Sequence, residues 1–365
     1  MEENDNIKSK TINYVEFNFD SSYFSVGTDI GFLIYQTNPL KLIFERNLNG
    51  GIGLVKILEQ TNIFCLAGGG SHPRFSPNKL IIWDDKKNEI SEEFRFNSFV
   101  INCYIKQYCI IIICSDNITF INSKTMKIIK CINTINNPRG ISSISNDPKK
   151  YIFAYPDINK GNILFIKLKE FEEGNDEQIN KIKKLEVKED IIKNAHKGNI
   201  NVISLNFNGS KLASASDRGT LVRVFDLETK MQIKEFRRGN SEANIYSLSF
   251  SFDDSLLGLT SNHGSCHIFN LNNSIIEKKN NSGMMGYITN NFSLGGVGKK
   301  LSSVLGQEYS WKKIVIPHKV RSFISFIVKD NSNVFIIDKS GNYLSINLTI
   351  EQEPKITQQT KILLN

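Results

Sequence analysis

Two stretches decide the fold: NGSKLASASDRGTLVRVFDL, Asn208 to Leu227, and DDSLLGLTSNHGSCHIFNL, Asp253 to Leu271. Laid over each other, Ser216 meets Ser261, Gly219 meets Gly264 and Thr220 meets Ser265 at an offset of 45 residues. Phe225 meets Phe269 at an offset of 44, after one deletion. Each stretch is a pair of short apolar runs joined by a polar turn that contains glycine, the pattern of a β-hairpin. A period of about 40–45 residues with four strands per unit is that of a β-propeller blade. Such a unit cannot bury its faces alone and must stack on neighbours.

The same outline is fainter in GTDIGFLIYQ (Gly27 to Gln36) and DKSGNYLSINL (Asp338 to Leu348). Other short β-rich runs include YVEFNF, YFSVGT, CIIIIC and FISFIV, separated by Asn, Asp, Gly and Ser. Few helical patterns occur. At about 50 residues per unit the chain holds seven blades, which predicts an all-β, seven-bladed WD40-like propeller spanning 1–365. The expected blades are 11–48, 51–96, 97–136, 139–190, 195–237, 241–318 and 320–365, after a flexible segment 1–10. The strands near residue 11 begin a full set, so the N-terminus need not lend a strand to the last blade. Blade four carries a charged insertion, and blade six a longer one over 272–309. Loops of that length in a compact domain are commonly functional or disordered.

The net charge is +8. That excess suits nucleic acid, anionic lipid or an acidic partner, although Asn/Lys-rich loops such as NNSIIEKKNN account for much of the lysine. Six cysteines show no CxxC pair and sit mostly in apolar runs, where cysteine serves as a small hydrophobe. No secretory signal opens the chain, so a cytoplasmic location is expected. The most apolar run, Tyr108 to Cys114, is far short of the ~20 residues a spanning helix needs. Any membrane contact would be peripheral. No HExxH, P-loop or nucleophile elbow occurs, so neither an enzyme, a metal site nor a cofactor is expected.

EFRRGN, Glu235 to Asn240, places two arginines back to back at the end of a strand-like run. Consecutive strand side chains point to opposite sides. Arg237 and Arg238 therefore face different surroundings, and Gly239 lets the chain turn after them.

The segment from Asn194 to Leu271 resembles the PROPPIN family, the WIPI-type propellers of autophagy that bind phosphoinositides. FRRG (Phe236 to Gly239) is its hallmark, here preceded by SASDRGTLVRVFD and followed by ANIYSLSFS. A second similar block is GGGSHPRFSPNKLIIWDD, Gly68 to Asp85. Strong similarity covers about residues 195–271 and 65–85; elsewhere the match lies in blade pattern and length. The resemblance implies a non-enzymatic, membrane-recruited scaffold. Two pockets would recognise phosphatidylinositol 3-phosphate and phosphatidylinositol 3,5-bisphosphate on autophagosomal, endosomal or vacuolar membranes. The alternative is a propeller that binds proteins or nucleic acid without lipid selectivity, although no RNA-binding aromatic signature supports nucleic acid. A monomer is expected in solution.

Within that resemblance each arginine would floor one pocket, since guanidinium forks pair with phosphate oxygens. The Arg237 pocket is expected to use His196, Ser216, Arg218, Thr220 and Arg223. The repeat maps the Arg238 pocket onto Ser261, His263, Ser265 and His267. Histidine near its ordinary pKa of about 6.5 is part-charged at neutral pH. The second pocket should then be weaker and more sensitive to pH. His196 and Ser216 also suit an internal hydrogen bond of an ordinary blade, and His267 also suits a buried strand. In the blade-six insertion, Met284, Met285, Tyr287, Ile288 and Phe292 are the candidates for entering a bilayer. Pro73 and Arg74 are the candidates for contact with an autophagy lipid-transfer protein or a conjugation-machinery adaptor.

Overall fold

The most apolar run becomes the second strand of a blade, and its two faces explain its composition. In Cys109–Cys114 every residue is buried. Ile110, Ile112 and Cys114 pack into a cluster shared with the blade before, while Cys109, Ile111 and Ile113 pack into one shared with the blade after. A strand covered on both faces reads as continuous hydrophobicity rather than alternation. The same logic grades each blade outward. Second and third strands such as Leu256–Ser261 and Gly31–Gln36 are almost wholly buried. Outer strands such as Glu89–Arg95 and Lys355–Lys361 are mostly exposed and carry the polar residues.

The computed structural model describes residues 10–58, 61–106, 109–147, 151–168, 187–272, 277–278, 286–287, 308–328, 332–349 and 353–362. Seven antiparallel sheets follow in chain order over 12–47, 52–95, 100–133, 143–192, 200–237, 245–315 and 322–361. They form the ring of a seven-bladed β-propeller, in which the innermost strands of most adjacent blades pack on each other. The fourth blade runs to Ile192, two residues past its expected limit. Its innermost strand is only Ser143–Ile144.

The ring closes by packing. Blade one uses its own four strands and so does blade seven. Phe24 stacks on Tyr343 at 6.0 Å across the seam, and the Tyr343 hydroxyl donates to the Thr37 carbonyl at 2.6 Å. Ser21 and Ser325 join hydroxyls beside them.

Blade six departs from the pattern. Its third strand, Ser265–Asn270, pairs with Lys312–Val315 across the insertion. Before that strand, Glu308–Tyr309 runs parallel to the outer strand of blade five, with Glu308 beside Phe236 and Tyr309 beside Arg237. Lys234 ties this return to blade five through Glu308 at 2.7 Å.

Candidate functional site

The outer strand of blade five, Gln232–Arg237, pairs with Leu221–Asp226 so that Val222 faces Phe236 and Leu221 faces Arg237. Phe236 is buried and stacks on Phe269 of blade six at 4.7 Å. That contact pins the register and sets Arg238 at the seam between blades five and six, beside His267. Arg238 extends the ladder by donating its backbone N–H to the Thr220 carbonyl at 2.9 Å. Its guanidinium folds back: Nε donates to the Gly219 carbonyl at 2.7 Å and Nη2 donates to the Ser241 carbonyl. The residue is 7% exposed, and burial lowers its pKa below the ordinary value. Arginine stays charged through such shifts. Among the described residues no carboxylate pairs with Arg238, so neutral carbonyls hold a fixed positive charge. Arg237, half-buried one residue earlier, faces the other side by strand alternation.

On the blade-six side a polar chain stands near Arg238. The Ser261 and Ser265 hydroxyls lie 3.4 Å apart, Ser265 Oγ lies 3.1 Å from His267 Nε2, and His267 Nδ1 lies 3.2 Å from Ser310 Oγ. His267 is buried, and its pKa is pushed down to about 3, first by desolvation and then by Lys313, Arg238 and His263. The expected part-charge at neutral pH therefore does not hold for His267. The ring is neutral because a buried cation beside other cations is disfavoured.

On the blade-five side, His196 is also buried, and its Nε2 lies 2.9 Å from Ser214 Oγ. The internal bond of an ordinary blade is present, with Ser214 in the place expected for Ser216. Burial first, and Arg223 second, push the His196 pKa down to about 4. Arg223 is already engaged: Nε donates to Glu235 at 2.8 Å and Nη1 to the Ala195 carbonyl at 2.7 Å. It braces the blade where a free phosphate ligand was expected. Among the described residues the side-chain hydroxyls of Ser216 and Thr220 have no hydrogen-bond partner, which leaves both open to a ligand. Arg218 and His263, at matching places in the repeat, converge on one exposed residue. Arg218 Nε reaches Glu242 Oε1 at 3.4 Å, and His263 Nε2 lies 3.0 Å from the Glu242 carbonyl oxygen.

The family pattern of PROPPIN matches residues 11–311. This chain belongs to the PROPPIN family. It is 34% identical over 266 residues to SVP1-like protein 2 of Schizosaccharomyces pombe, covering 72% of this chain and 69% of that protein. It is 28% identical over 371 residues to autophagy-related protein 18 of Dictyostelium discoideum, covering 96% and 93% of the two chains. Kluyveromyces lactis Hsv2 superposes with a TM-score of 0.76 at 21% identity, over 97% of this chain and 100% of that one. KlAtg21 bound to the coiled-coil of AgAtg16 superposes with a TM-score of 0.71 at 20% identity, over 96% and 99%.

In this PROPPIN the loop holding Pro73 and Arg74 is exposed but firmly tied. Arg74 donates its backbone N–H to the Gly51 carbonyl at 2.9 Å, and Gly51 donates to the His72 carbonyl at 2.7 Å. A Cβ on Gly68 would stand 1.7 Å from the Phe75 carbonyl oxygen, so the glycine run permits the loop to fold back on itself. In the insertion, Gly286–Tyr287 pairs with Glu277–Lys278. Met284, Met285, Ile288 and Phe292 lie outside the described residues, as does the Tyr287 side chain. Among the described residues no group of three potential ligands could hold a metal, and no helix is long and apolar enough to cross a membrane.

Sequence reasoning missed Ser214, Ser310, Glu235 and Glu242. Ser214 was within reach, since it shares a strand face with Ser216 two residues on. Ser310 lies beyond the long insertion, where no spacing rule connects it to His267.

Proposed function

We propose that this protein is a non-enzymatic phosphoinositide effector of autophagy and membrane traffic. The carrying observation is Arg238, near the Ser261–Ser265–His267 chain of blade six and held by neutral carbonyls with no internal counter-ion among the described residues. Arg237 and Arg238 each floor one pocket. Ser216 and Thr220 complete the first, with Arg218 at its rim; Ser261, Ser265 and His267 complete the second, with His263 at its rim. His196 and Arg223 support the first pocket from behind. The ligands are phosphatidylinositol 3-phosphate and phosphatidylinositol 3,5-bisphosphate, whose phosphates match the guanidinium forks.

Two sites flanking one blade make weak headgroup contacts effective, because the second lipid is met at high local concentration and avidity can rise by ~10²–10⁴. The insertion 272–309 supplies a third contact through Met284, Met285, Tyr287, Ile288 and Phe292. Its return strand beside Arg237 supports that role, since it places the base of the insertion at the pockets. The Ser71–Arg74 loop offers a rigid exposed edge to an autophagy lipid-transfer protein or adaptor, with Pro73 and Arg74 at the contact.

Calorimetric titration with short-chain phosphatidylinositol 3-phosphate tests the two-pocket arrangement. The native chain should bind two equivalents, and Arg237→Thr and Arg238→Thr one each. One equivalent for the native chain, lost in only one of the variants, would reduce the arginine pair to a single site.

A further inference from the structure

The innermost strands enclose a central channel, and one mouth of it carries unbalanced positive charge. A cavity of about 150 Å³ opens there where blades three to seven begin their innermost strands. Arg139 enters it from the segment before blade four, and Arg321 from the start of blade seven. Both partners of Arg139 are neutral amides: Nη1 donates to Asn201 Oδ1 and, at 3.3 Å, to Asn244 Oδ1. Asn201 is itself fixed, donating to Asn244 Oδ1 at 3.1 Å and to the Ile245 carbonyl at 3.2 Å. The Arg321 guanidinium lies over the Phe323 ring at 5.5 Å, and its Nε is buried with no hydrogen-bond partner. Burial first, and Arg321 second, lower the Arg139 pKa, so the two cations oppose each other across the mouth.

Among the described residues the cavity wall contains one carboxylate, and it is spent. Glu16 Oε1 receives Lys56 Nζ at 2.6 Å and Oε2 receives the Tyr14 hydroxyl at 2.7 Å. Among the described residues no ion pair reaches Arg139 or Arg321. Two partly desolvated guanidinium groups with no counter-ion, one with an unsatisfied donor, are unfavourable unless an anion completes them. Planar forks favour an oxyanion with several acceptor oxygens over a spherical ion.

We propose that this mouth is a third anion site, separate from the arginine pair, which takes a phosphate-type oxyanion between Arg139 and Arg321. In an up-and-down blade, innermost strands start on the face where outer strands end. The mouth therefore shares a face of the disc with Arg237 and Arg238. The phosphate can be free in solution or borne by a lipid, and the test separates these sources.

The experiment uses the Arg237→Thr/Arg238→Thr chain, so that the arginine pair does not contribute. Pyrophosphate is titrated by calorimetry, and vesicles containing phosphatidic acid are used in parallel flotation. Binding in either arm, weakened about tenfold or more by a further Arg321→Gln, is expected. A response to pyrophosphate alone assigns a soluble ligand, and a response to vesicles alone assigns a headgroup. If Arg321→Gln does not fold, Arg321→Lys, which keeps the charge and loses the fork, serves in its place. No binding in either arm, or binding indifferent to the Arg321 variant and to Arg139→Gln, would overturn the site.

Discussion

Arg238 and Gly219 are joined by a hydrogen bond of 2.7 Å from the guanidinium Nε to the carbonyl oxygen. Gly219 holds a φ of +59°, and a Cβ there would stand 1.9 Å from the Ala243 carbonyl oxygen. The turn that positions the arginine is thus one that only glycine adopts without strain. Gly219→Ala should cost about 1–3 kcal/mol of stability and weaken headgroup binding at the Arg238 pocket. Denaturant unfolding and a headgroup titration on the same preparation check both.

The two buried histidines set an acid limit. His196 and His267 have folded pKa values of about 4 and about 3, below the ordinary value of about 6.5. The unfolded chain then binds more protons than the folded one at acid pH, so stability rises with pH in that window. Their contribution is fully present above about pH 6.5 and is lost as pH falls toward 3–4, on the order of several kcal/mol at most. Unfolding free energies compared near pH 7.5 and pH 5 should fall in the native chain and fall less in His267→Asn. A bound phosphate would oppose the depression at His267, so saturating headgroup should shift the acid transition.

Glu242 stands at the pocket rims, its carboxylate reaching Arg218 and its backbone carbonyl His263. Its pair with Arg218 is exposed, so its contribution to stability is small. Its negative charge opposes an arriving phosphate. Glu242→Gln should raise affinity for phosphoinositide vesicles a few-fold at low salt, with the gain shrinking as salt screens it. Vesicle binding across a salt series gives the answer; reduced affinity would show that Glu242 aids the site.

Closure of the ring without strand exchange leaves blade one and blade seven joined mainly by side chains, with one backbone bond from Val328 N–H to the Asp20 carbonyl at 3.2 Å. Tyr343→Phe removes the buried bond to the Thr37 carbonyl while keeping the ring against Phe24. The expected loss is about 1–2 kcal/mol, seen as a lower unfolding temperature with lipid binding unchanged.

Much of the fold was legible because blade architecture imposes a period. The match of Ser216 with Ser261 and Gly219 with Gly264 exposed the repeat, and the all-apolar Cys109–Cys114 announced a strand buried on both faces. The arginine pair was legible because FRRG is local. Its supports were less so. Arg223 looked like a phosphate ligand, yet it meets Glu235 across a strand pair, a register that local sequence does not specify. Ser310 reaches His267 only because the chain returns after the insertion. His267 looked titratable because a reference pKa ignores burial, which dominates at that position.

The central claim is that the end of the outer strand of blade five reads 3-phosphorylated inositol headgroups through Arg237 on one side and Arg238 on the other. It is tested most directly by flotation with liposomes carrying each phosphoinositide at matched surface charge, comparing the native chain with Arg237→Thr/Arg238→Thr. Selective flotation with 3-phosphorylated lipids, abolished in the double variant, is the predicted result. Equal flotation of both proteins with any anionic liposome would contradict it and leave a basic propeller without a headgroup site at the arginine pair.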